Sequence, residues 1–189
     1  EVISNYSIKK RNNEEKLVAD KIILELDAES DKIIQSQKQN IVEEDAINNW
    51  KNTFTPLVNQ KLSTIKNRRV KNLVERGIDL QNSTSIYQLK KNSFEAYQGD
   101  SLVNVNNKIT SNIGKYATSD NPIMKVKYKT ITKEIIKDYV EEFNLPKNVL
   151  DQKLEAADRD FLLSDINQFA GQVNGAEQIN DLDISLKGT

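Results

Sequence analysis

Apolar residues in this chain recur at intervals of three and four, the spacing that lines one face of an α-helix. Ala19, Ile23, Leu26, Ser30, Ile33 and Gln37 mark such a stripe within 8–39, turning polar toward its end. Ile47, Trp50, Phe54, Leu57 or Val58, Leu62, Ile65 and Leu73 carry the rhythm through 41–76. Thr55-Pro56 predicts a kink or restart there, because Pro suits the first turn of a helix with Thr as its N-cap. Gly77, after Arg76, predicts a C-terminal cap. The polar run Ser83-Thr84-Ser85 then predicts a new helix start, followed by a looser stripe through Tyr87, Phe94, Leu102, Val105, Ile109, Ile113 and Tyr116. Gly99 predicts a bend or break within that stripe.

Two further helices follow. Pro122 opens one that carries Val126, Ile131, Ile135, Tyr139 and Phe143. Leu145-Pro146 stops it, since the residue before Pro is driven out of the α region. Met124–Thr132 also alternates as a strand would, but the four-step run past it favours helix. Leu150, Leu154, Ala157, Phe161 and Asp165 share a face of the last helix, which Gly171 is expected to close. Residues 172–189 then read as an extended tail, with weak alternation at Leu182, Ile184 and Leu186. The pattern predicts a mainly α chain: elongated hairpins or a bundle of about five helices, coiled-coil-like in part. Its divisions are an N-terminal helix (1–40), a central helical hairpin (41–121), a C-terminal helical pair (122–171) and the tail.

Composition narrows the uses of such helices. Hydrophobic residues make up 37% of the 189, below the ~45–50% of ordinary globular domains. A thin core favours helices that complete their burial against other chains. With 27 basic and 28 acidic residues the net charge is −1, so no global field gathers nucleic acid. The absence of Cys and His removes thiol chemistry, His-dependent triads and the usual zinc ligands; no cofactor and no metal are expected. No apolar run reaches the ~20 residues that span a bilayer. The first residue is Glu1, which reads as a fragment, a processed product or part of a longer chain.

The remaining candidates are clusters. Lys66, Arg68, Arg69 and Lys71 are the densest basic group and the candidate phosphate contact; the alternative is a solvated helix face. Lys125, Lys127, Lys129 and Lys133 form a second run that would share a face only on a strand. Glu43, Glu44 and Asp45 read as a helix start favoured by the macrodipole. Asp158, Asp160 and Asp165 are carboxylates of a kind that does acid–base work inside a cleft, although chance proximity explains them. Trp50, Phe54, Phe94 and Tyr97 are the large apolar side chains of the central segments, expected in a core or, as anchors, at an interface between subunits.

One stretch resembles a known family. Trp50-Lys-Asn-Thr-Phe54-Thr-Pro56, the long polar helix with Tyr87 and Phe94-Glu-Ala-Tyr97, and the exit Tyr116-Ala-Thr-Ser-Asp-Asn121-Pro122 are similar to helical internal virion proteins of tailed bacteriophages, the core or ejection proteins. The resemblance implies a structural, multi-copy homo-oligomer inside a capsid or tail. It also implies contact with other virion proteins and transiently with packaged DNA. No enzymatic residue of that family has a counterpart here. The alternatives are a cytoplasmic coiled-coil adaptor that binds another protein, and a nucleic-acid-binding module using the basic stretches.

Overall fold

The computed structural model describes residues 2–187, with side chains over 5–172. Five helices follow one another: α1 (Val2–Ser36), α2 (Glu43–Thr64), α3 (Arg68–Ala117), α4 (Pro122–Glu142) and α5 (Lys147–Lys187). Among the described residues there is no strand, so the Met124–Thr132 stretch is helix. The chain divides into two compact units, 1–99 and 100–189, with α3 contributing its first part to one and its second part to the other.

The first unit packs α1, α2 and the start of α3 around Ala19, Leu26, Ile34, Ala46, Trp50, Phe54, Val70, Val74, Ile78 and Leu89. Trp50 and Phe54, one turn apart on α2, stack with ring centroids 5.1 Å apart. They lie on one face because i and i+4 are neighbours on a helix. Glu43, Glu44 and Asp45 occupy the first turn of α2, as their charge predicts.

Four expected breaks are absent, Gly99 among them, since α3 runs through it to Ala117. Pro56 sits inside α2. The missing N–H and the ring clash cost about 3 kcal/mol, and burial on both sides of the site opposes that cost: Trp50 and Phe54 before it, Val58 and Leu62 after it. Gly77 caps nothing; α3 starts at Arg68 and passes through it. A Cβ there would fall 2.9 Å from Ile23 Cγ1, so the glycine permits close approach of α1 and α3. Ser83-Thr84-Ser85 starts no helix either, and Ser85 is buried mid-helix. The true start is set by Asn67, whose Oδ1 accepts from Arg69 N (2.9 Å) and Val70 N (3.3 Å), the N-cap arrangement. α3 is thus one helix from Arg68 to Ala117.

The second unit packs the end of α3 with α4 and α5. Tyr116, Ile136, Ala157 and Phe161 form one cluster; Tyr139, Val140 and Phe143 form another, backed by Leu102, Val105 and Leu145. Both predicted prolines act as expected. Asn121 caps α4, accepting from Ile123 N at 2.9 Å, with Pro122 in the first turn. At the other end Asn144 adopts φ 47°. Leu145 N donates to Val140 O (2.9 Å) and Asn144 N to Glu141 O (3.1 Å). This paired closure, with a left-handed residue and an apolar one after it, is the Schellman motif.

Gly171 does not close α5, which continues to Lys187. A single Gly costs only about 1 kcal/mol in a helix. The extended tail is thus corrected to helix through residue 187. The last two residues, and the side chains of Leu182, Ile184 and Leu186, lie outside the described residues.

Candidate interaction surfaces

Each unit contains a group of polar side chains that meet one another across its helices. In the first, Trp50 Nε1 donates to Ser30 Oγ at 3.0 Å, and Ser30 Oγ meets Ser85 Oγ at 3.0 Å. The three are 3%, 0% and 4% exposed. They come from α2, α1 and α3, so a hydrogen-bonded layer crosses all three helices. Buried polar groups require such partners, and the layer fixes how the helices slide past one another.

A second junction ties the start of α3 to α1. Glu15, buried apart from its edge, accepts from Asn67 Nδ2 (3.0 Å) and Arg11 Nε (3.1 Å), with Arg69 Nε 3.5 Å away. The Asn67 hydrogen bond holds the Glu15 carboxyl below its ordinary range while burial pushes the other way, and Arg11 and Arg69 add to the lowering. Arg69 also donates to Asn12 Oδ1. One member of the predicted phosphate cluster is therefore committed to a carboxylate. Lys66 and Arg68 are exposed near the turn into α3, and Lys71 is half-buried.

The second unit contains a more convergent group. Tyr116 donates its hydroxyl to Asp165 at 2.6 Å. Lys125 Nζ lies 3.1 Å from the same carboxylate and Lys129 Nζ 3.9 Å. Both ammonium groups stand over the Tyr116 ring, 4.8 and 4.9 Å from its centroid, and Tyr116 packs on Phe161 at 4.8 Å. The Tyr116 hydroxyl first, and Lys125 after it, keep Asp165 below the usual carboxylate range while burial pushes the other way. Lys133 pairs with Asp158 at 2.9 Å. Lysines at 125, 129 and 133 are one helical turn apart, so α4 aims them together at α5. Three of the four lysines of the second basic run are thus matched by acids of their own unit, whereas Lys127 is exposed on another side of α4; Asp158 and Asp165 each face a lysine rather than another carboxylate. Asp160 is exposed and borders a recess with Asn106 and Lys153. Among the described residues no three acidic side chains converge as a cation site would need.

The four aromatic candidates separate. Trp50 and Phe54 are 3% and 2% exposed, so they belong to the core and not to an interface. Phe94 and Tyr97 are 54% and 41% exposed and border a shallow recess with Ile41, Glu43, Lys90 and Ser93.

Sequence reasoning missed the other exposed apolar side chains. Leu80 and Tyr87 join Phe94 on α3, Leu17 and Leu24 lie on α1, and Leu162, Ile166 and Phe169 on α5. The signal was present as a seven-residue spacing: 17 and 24, then 80, 87 and 94. On α3, at 3.6 residues per turn, Leu80 lies roughly 120–200° around from Val74, Ile78, Ser85 and Leu89, which face the core. No membrane-crossing helix occurs among the described residues. No protein-family model, curated protein or solved structure matches this chain.

Proposed function

We propose that this chain is a structural component that works by helix packing in multiple copies, as an internal core or ejection protein of a phage virion. The observation that supports it is the second apolar face of the helices. Leu17 and Leu24 on α1, and Leu80, Tyr87 and Phe94 on α3, are each more than half exposed, on sides of the helices away from their own core. Large apolar side chains repeated along one exposed side of a helix suit association with another apolar face. The charged groups favour the same reading, because Arg69, Lys125, Lys129 and Lys133 are each met by an acid of their own unit. Less charge is then left to recruit a polyanion. The virion assignment itself rests on the resemblance of 50–122 to that family.

Light scattering of the purified chain at tens of micromolar tests the assembly reading: the expected mass is an integral multiple of the monomer. A monomer at that concentration removes its physical basis. The virion reading predicts the chain, in many copies, in particles purified from an infected culture and digested for mass spectrometry.

A further inference from the structure

Leu80, Tyr87, Phe94 and Tyr97, on the outer face of α3 in the first unit, are 77%, 68%, 54% and 41% exposed. We propose that this stripe is covered by the same stripe of a second copy, with the two α3 segments antiparallel about a two-fold axis near Tyr87. The proposal rests on the multi-copy reading above and names its surface.

Area is the first argument. An aromatic side chain offers ~150–250 Å², so the exposed fractions of the three rings with Leu80 leave about 400–450 Å² per copy. Two copies face to face remove roughly 900 Å², and the flanking polar side chains bring the total to the ~1,000 Å² at which specific association begins.

The second argument is self-complementarity. In the antiparallel register Phe94 falls over Ser83 of the second copy, Leu80 against Tyr97, and Tyr87 against Lys90. Phe94 then meets a small side chain, Tyr87 a flexible one, and Leu80 packs against an aromatic ring. A parallel register sets Phe94 on Phe94 and Ser83 on Ser83, leaving a gap at the serines.

Charge is the third. Lys90 is paired with Glu43 at 2.8 Å, and Lys91 with Glu95 at 3.8 Å. The lysines beside the stripe therefore carry their counter-charges with them and raise no barrier to a second copy.

The chain has no cysteine, so introduced thiols give an unambiguous readout. In Thr84→Cys/Lys91→Cys, mild oxidation is expected to link residue 84 of one copy to 91 of the other, identified by peptide mapping. Tyr87→Glu is expected to raise the dissociation constant at least about tenfold, the effect of losing a central anchor. Ile123→Glu, at an exposed apolar position on α4 outside these faces, is expected to leave it unchanged. Both altered residues are exposed, and unchanged circular dichroism confirms that the variants fold. Links between 84 and 84 overturn the orientation. Association that survives Tyr87→Glu overturns this surface while the multi-copy reading stands. A wild-type chain that stays monomeric overturns both.

Discussion

Replacing Ser30 by Ala probes the layer that joins the three helices of the first unit. The Ser30 hydroxyl is the hub: it accepts from Trp50 Nε1 and meets Ser85, both at 3.0 Å. Removing it leaves the indole N–H without its acceptor at a residue only 3% exposed. Stranding a buried donor costs about 1–3 kcal/mol, beyond the ~1 kcal/mol net worth of an ordinary hydrogen bond. Ser30→Ala should therefore cost about 2–4 kcal/mol. Ser85→Ala strands nothing of the indole, because Ser30 still accepts from it, and should cost about 1 kcal/mol. The double variant should cost little more than Ser30→Ala alone, since the two serines share one interaction. The chain has a single Trp, so urea titration followed by Trp50 fluorescence reports unfolding of this unit. Equal costs for the two single variants, or strict additivity in the double, would refute the hub assignment.

Pro56→Ala restores a donor and removes the ring clash within α2, and should stabilise the first unit by about 1–2 kcal/mol in the same titration, the helix gain being partly offset by a freer unfolded chain. Gly77→Ala should destabilise, by about 1 kcal/mol, because its Cβ meets Ile23, yet turn neutral or stabilising in an Ile23→Ala background, where the ~1 kcal/mol helix preference for Ala is realised. Glu15 has its folded-state pKa lowered from the ordinary 4.5, so its contribution is present above that value and drains away as pH falls through the folded-state value. The Trp50 transition should weaken on acidification, and Glu15→Gln should flatten that dependence; an unchanged pH profile in Glu15→Gln would count against the junction.

The internal pairing of charge bears on function. A basic run reads as a polyanion site only while its charges are unmatched. Lys125 and Lys129 share Asp165, and Lys133 takes Asp158, residues 25 to 40 positions away in the chain. The same distance hides the Tyr116–Asp165 bond, 49 residues apart. No local pattern announces such partners. The helix-borne apolar stripes differ in this respect, because their seven-residue spacing is local and is legible as soon as both faces of a helix are considered.

The sequence by itself determined that the chain is helical, and where α4 begins and ends. Three-and-four spacing is a property of one helix, and Asn121-Pro122 and Leu145-Pro146 act through backbone geometry within a few residues. Ser30 even appeared in the buried stripe of α1, a polar residue in an apolar register. Tertiary structure alone decided the rest. Pro56 and Gly77, and Gly99 within the expected third helix, are local penalties of about 1–3 kcal/mol. Burial of Trp50, Phe54, Val58 and Leu62 around Pro56, and of Val70, Val74 and Leu89 around Gly77, outweighs the first two, so α2 and α3 run through where local rules predict breaks. Which side of Trp50 and Phe94 would be covered was equally invisible. Both are large, apolar and correctly spaced, and only the packing of three helices put the first inside and left the second at the surface.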